Sequence, residues 1–228
     1  MGNDIPYDIY LEIGQKKTFA CAVDWPGWCR SGRDEASAIQ ALLRSGSRYA
    51  GVLETAHLSY TVPQSPTDIH IIERITGNFS TDFGVPDLPI SQDFGPIHAE
   101  EIGRYKRILR ACWLAFDKVV KSAQGKELQK GPRGGGRDLA GIINHVAGAE
   151  PGYLRRIGGK ANIIATENMD ERLSQIRNET LKGLQAAFDG QLSVEGPKGG
   201  KRWPLPYFVR RVAWHVIDHA WEIEDRIL

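Results

Sequence analysis

The stretch Trp214-His215-Val216-Ile217-Asp218-His219-Ala220-Trp221-Glu222 decides how this chain is read. Two histidines four residues apart sit about 40° apart around a helix, with Cβ atoms roughly 5–6 Å from one another, close enough to hold one cation between their rings. Taken alone, an H-x3-H pair is more readily two ordinary histidines at the rim of a helix contact, because the pattern is short and common. The surroundings argue further. Val209, Val212, Val216, Ala220, Ile223 and Ile227 recur at helical spacing and form an apolar stripe, and His215 and His219 both fall on one edge of it. His145 holds the same kind of place in Asp138-Leu-Ala-Gly-Ile142-Ile-Asn-His145-Val146. Three such histidines from two packed helices can converge on one point.

The segments from Arg137 to Glu150 and from Ala213 to Arg226 resemble the DinB-like (damage-inducible) metalloprotein superfamily, over about residues 97–228. The resemblance implies a four-helix bundle with one metal-ligand histidine on its second helix and an H-x3-H pair on its fourth. Position by position, His145, His215 and His219 match those ligands. It also implies a function class, since members include transferases and an isomerase that use a low-molecular-weight thiol.

The rest of the chain fits two parts. Its 228 residues are 41% hydrophobic and 25% charged, enough to bury a sizeable core. The net charge of +1 divides unevenly, with −5 over residues 1–95 and +6 over residues 96–228. No block of five or six like charges appears, so nucleic acid is not expected as a partner. No apolar run approaches the roughly 18 residues a membrane helix needs, and no signal pattern opens the chain, so the expectation is a cytoplasmic protein with no membrane contact. Cys21, Cys29 and Cys112 contain no CxxC. They are expected to be reduced and metal-free, although Cys21 and Cys29 are able to pair.

In the first part, Tyr7–Ile13 and Thr18–Val23 read as a hairpin around the turn Gly14–Lys17. Trp25–Gly32 reads as an aromatic loop, Glu35 to about Leu53 as a helix capped by Asp34, and Asp68–Ile75 as a later strand. The β-β-α order and the run Asp24-Trp-Pro-Gly-Trp-Cys-Arg-Ser-Gly-Arg-Asp-Glu-Ala resemble the HicB-like fold over about residues 5–55. No helix-turn-helix or ribbon–helix–helix element accompanies it. His57 and His70 have no partner at ligand spacing. Residues 76–96 hold three prolines and three glycines and read as a linker. Its Phe79, Phe83, Leu88 and Phe94 are expected to lie against something rather than in water.

The second part reads as four helices, over about Ile97–Ser122, from Asp138 to Gly158-Gly159, over Glu167–Phe188 and over Pro206–Ile227. Pro151 should kink or split the second, because proline removes a backbone donor. The run Gly131-Pro-Arg133-Gly-Gly-Gly-Arg137 precedes a helix start and reads as a flexible loop, with Arg133 or Arg137 in reach of a substrate over the metal. Trp214 and Trp221 lie opposite the apolar stripe, so the fourth helix has a second buried face, set against the N-terminal part or a second copy in a homodimer.

The expected fold class is therefore α+β, with a HicB-like α+β domain and linker at 1–96 and a DinB-like four-helix bundle at 97–228. The expected cofactor is one divalent transition metal, zinc or nickel first, held by His145, His215 and His219 with an open position. Glu222, three residues after His219, is a candidate to orient a ligand histidine or move a proton; an ion pair with Arg226 is an equal reading. Arg211, four residues before His215, is a candidate to hold an anionic group of a small-molecule substrate, possession of a plain surface charge being the alternative. The rival class is a non-enzymatic binding or regulatory protein with a metal-stabilised bundle.

Overall fold

The computed structural model of the protein describes residues 7–130, 136–193, 195 and 199–228. It is α+β, with a four-stranded sheet near the N-terminus followed by a helical region. Strands β1 (Tyr7–Ile13), β2 (Thr18–Ala22), β3 (Cys29–Gly32) and β4 (Ile69–Thr76) form a sheet in the order β3-β2-β1-β4. The hairpin β1–β2 is antiparallel as the alternation predicts, whereas β4 joins the other side of β1 in parallel. The two faces of the sheet have different covers, as a period-two pleat requires. Ile9, Leu11, Ala20 and Ala22 belong to the main core with helices α1 (Glu35–Arg44) and α2 (Gly46–Leu53). Tyr10, Phe19, Cys21 and Cys29 face the other way, against Ile90 and Trp214.

Three expectations for this half are corrected. The loop Trp25–Gly32 contains β3, which puts Cys29 directly opposite Cys21 on β2, and the two form a disulfide; only Cys112 is a free thiol. Adjacent strand positions bring side chains into bonding range, and that adjacency is invisible if the segment is read as a loop. The single expected helix from Glu35 is broken at Ser45, whose hydroxyl donates to the Leu42 carbonyl (2.7 Å) and accepts from the Trp28 indole (3.1 Å). The segment 76–96 is folded down, but not by its phenylalanines. Phe79, Phe83 and Phe94 are 84%, 76% and 68% exposed. Polar anchors do the work instead. The buried Glu12 carboxylate accepts from the Thr81 hydroxyl and the Asp87 and Leu88 amides, and buried Asp93 accepts from Arg210 (2.6 Å) and from the Ile90 amide (2.8 Å). A short helix, α3 (Phe79–Phe83), lies within the segment.

Four long helices complete the chain: α4 (Ala99–Ala123), α5 (Leu139–Arg156), α6 (Met169–Phe188) and α7 (Leu205–Arg226). Each contacts the other three. Asp138 caps α5 through the Gly141 amide (2.7 Å), and α5 continues past Pro151 rather than splitting there. The glycine-rich run at 131–135, with Arg133, lies outside the described residues, whereas Arg137 is exposed. The apolar stripe of α7 is buried, and so is its opposite face. Trp214 meets Phe19 edge-on at 6.3 Å, and Trp221 lies under the guanidinium groups of Arg30 (4.2 Å) and Arg48 (4.9 Å). The cover for the second face is thus the chain's own N-terminal half. The largest hydrophobic cluster accordingly runs from Ile9 to Ile223. Among the described residues no helix is long and apolar enough to cross a membrane.

Two buried polar groups make measurable claims on stability. Arg210 and Asp93 are 6% and 1% exposed at their side chains, so removing one partner strands a charge. Asp93→Ala is expected to cost about 3–5 kcal/mol in urea unfolding, and the double change with Arg210→Met to recover part of that loss. Glu150, buried in the helical core, accepts from the Trp113 indole (2.9 Å), and burial pushes its carboxyl up to about 7 from an ordinary 4.5. The folded protein therefore favours the protonated acid. Its contribution to stability is fully present below the ordinary value and is lost as pH rises through about 7. Glu150→Gln is expected to flatten this dependence, so that unfolding midpoints of variant minus parent increase between about pH 4 and about pH 8.

Candidate metal centre

His145 projects from α5, and His215 and His219 from α7, helices that pack directly on each other. The Nε2 atoms of His145 and His215 face one another at 3.1 Å, and one ligand nitrogen from each of the three rings lies within 4.8 Å of the others. The ring centroids are 4.8–5.0 Å apart in all three pairings. Nitrogens bound about 2.1 Å from one tetrahedral ion stand roughly 3.4 Å apart, so the cluster is within small side-chain rotations of a shared site. The convergence expected of these three residues is what the structure shows. The cluster could hold a metal ion, because a proton between two facing Nε2 atoms serves two rings and a cation serves three.

The surroundings favour the neutral form of two rings and orient the third. Burial pulls the His215 imidazole well below its ordinary range, with the neighbouring His219, Arg211 and His145 adding to the shift. Burial also lowers His145, together with His219 and Arg137. Neutral imidazoles present lone pairs at neutral pH, as ligation requires. His219 directs Nδ1 to the Glu222 carboxylate at 2.7 Å, which leaves Nε2 as its ligand atom. That bond holds Glu222 below the usual carboxylate range. Glu222 also accepts from Arg226, which in turn donates to the backbone carbonyls of Gln129 and Arg137 at 2.8 Å each. Both sequence readings of Glu222 hold at once, since it contacts a triad histidine and pairs with Arg226. Asp218 points elsewhere and pairs with Arg30 at 3.2 Å.

Arg211 is not a surface charge. It is 9% exposed, with its guanidinium carbon 5.2 Å from the Tyr153 ring and 4.8 Å from the Trp214 ring. Tyr153 stands edge-on to His215 at 5.5 Å and packs on Trp203 at 5.8 Å. Neither aromatic was readable as part of the site. Tyr153 follows His145 by about two turns on α5, beyond Pro151, where a kink or split is expected, and Trp203 precedes α7 in a segment with no periodicity. His70 pairs with Asp8 at 2.7 Å on the surface and lies outside the site.

Compared with protein-family models, curated proteins and solved structures, the chain matches none.

Single-site changes should separate ligands from their support. His215→Ala is expected to abolish stoichiometric zinc binding in a competition titration against a chromophoric chelator. Glu222→Ala, which leaves all three imidazoles but frees the His219 ring, is expected to weaken zinc by roughly 10- to 100-fold.

Proposed function

We propose that the chain is a metal-dependent enzyme of DinB-like type that binds one zinc or nickel ion through His145, His215 and His219 and acts as a transferase or isomerase on a low-molecular-weight thiol and its acceptor. The observation that carries this reading is the convergence of three imidazoles from two helices with no fourth ligand in the cluster among the described residues. A structural zinc site closes its tetrahedron with protein ligands, whereas three ligands leave a position for water or substrate. When bound, the cation supplies Lewis acidity that favours the thiolate of a thiol entering that position. The chain's own groups supply the rest. Glu222 fixes the tautomer and plane of His219. Arg226 ties that carboxylate to the backbone at Gln129 and Arg137. Burial of His215 keeps one side of the cluster dry. The resemblances of residues 97–228 to the DinB-like superfamily and of residues 5–55 to the HicB-like fold support the same assignment of halves, with the N-terminal part covering α7.

A second reading is a non-enzymatic binding protein in which the cation only staples α5 to α7. It is favoured by the placement of the ligands on both sides of that helix interface. Elemental analysis after loading with zinc, nickel or cobalt is expected to give one ion per chain. The cobalt form should then develop a sulfur-to-metal charge-transfer band with small thiols such as 2-mercaptoethanol. One ion without any thiol band favours the staple. Failure to take up any of the three metals sinks both readings.

A further inference from the structure

Beside the triad lies a cavity of about 530 Å³ whose walls include Asp87, Tyr153, Arg155, Arg156, Trp203 and Arg211. We infer that this cavity is a carboxylate subsite, with Arg211 as the anchor for the acid group of a small organic substrate and the rings of Tyr153 and Trp203 as the wall for its apolar part. As a statement about substrate, the inference rests on the proposed enzymatic reading; as a statement about binding, it stands on the cavity alone.

The case begins with the cost of Arg211. Its Nε and Nη1 are buried and have no hydrogen-bond partner, although a guanidinium carries five donors that must be met somewhere. Burying a charge without a partner is unfavourable, and such a group persists where a ligand completes it. The neighbouring Arg210 also leaves its Nε unpartnered, but its charge is met by buried Asp93 at 2.6 Å, whereas among the described residues no carboxylate meets Arg211. Asp87 sits at the same cavity as Arg211 without bonding either buried nitrogen. The guanidinium is instead held between two aromatic faces, Tyr153 and Trp214, which fix its plane, and Nη2 is its one nitrogen not closed off from solvent and so the one an acceptor in the cavity reaches first. Exposed Arg155 and Arg156 add positive charge at the rim and favour an anion over a neutral ligand.

The position links this subsite to the triad. Arg211 is one helical turn before His215 on α7, about 6 Å along the axis. Tyr153 is a wall of the cavity and also stands 5.5 Å from the His215 ring. A molecule of a few carbons can therefore place its carboxylate on Arg211 and its reacting end towards the triad. The acid group belongs either to the thiol or to the acceptor, and both share this chemistry.

Calorimetry on chelator-treated, metal-free protein with phenylacetate and its neutral amide tests the binding directly. The acid is expected to bind at least about tenfold more tightly than the amide, and Arg211→Gln to remove roughly 10- to 100-fold of its affinity, with Arg211→Lys intermediate. Circular dichroism checks that the variants are folded, and the acid–amide comparison on the parent needs no variant. On zinc-loaded protein, phenylacetate displaced by mercaptoacetate but not by 2-mercaptoethanol assigns the carboxylate to the thiol. Phenylacetate bound together with mercaptoacetate assigns it to the acceptor, and either result supports the subsite. Equal affinity for acid and amide, or a folded Arg211→Gln protein that keeps the preference, overturns it. Acid preference in a protein that takes up no metal would sink the metal reading alone, and metal uptake without acid preference would sink this inference alone.

Discussion

Helix α7 is buried on both its apolar and its aromatic faces, and the rest of the structure follows from that constraint. A helix covered all round must find a partner for every polar side chain it carries. Arg210 finds Asp93, Asp218 finds Arg30, and His219 finds Glu222. His215 and Arg211, one turn apart, keep buried polar atoms with no partner, as do Tyr207, Trp214 and the Nε of Arg210 around them. The candidate chemistry therefore lies where one heavily packed element leaves its polar groups incomplete, which is the pattern expected of a site held rigid for a ligand.

The two halves of the chain are joined through the same helix. The sequence divides by charge, −5 before residue 96 and +6 after it. The ion pairs that cross the division do not follow those totals. Arg30 and Arg48 come from the acidic half and meet Asp218, Glu224 and Asp225 from the basic half. Net charge describes the far field, whereas contacts are set by individual side chains at an interface. Gly27 marks how closely the halves approach. It takes a left-handed φ of +98°, and a Cβ there would stand 3.4 Å from Ala213, Cys112 and Ile217. Only a residue without a side chain fits that turn easily against both α4 and α7.

Local features were legible in the sequence and long-range ones were not. The stripe of α7, the Asp34 and Asp138 caps and the β1–β2 hairpin depend on residues a few positions apart, and all are present. The triad was legible for a related reason, because H-x3-H encodes two of three ligands within one turn and only the His145 helix had to be added. Strand β3 was hidden because four residues with a turn-rich flank carry too little periodicity. The cysteine pairing followed it into obscurity. The Arg210–Asp93 pair spans 117 positions and has no sequence signature. The same holds for Glu12, whose burial beneath Thr81 and Asp87 overrides the rule that glutamates face water. Hydrophobicity alone placed Phe79 and Phe83 inside, yet backbone and polar bonds fix that segment and leave the rings out.

The contact of Trp214 with Phe19 sets an order of events during synthesis. The two rings are separated by nearly the whole chain, and the face of the sheet that holds Tyr10 and Phe19 is closed only when α7 arrives. At roughly 5–20 residues per second the ribosome takes about 10–40 s to make the intervening stretch. For that interval the aromatic face of the hairpin waits without its last cover. A nascent chain of this design spends its most exposed moments at its first strands, and its final helix is what ends them.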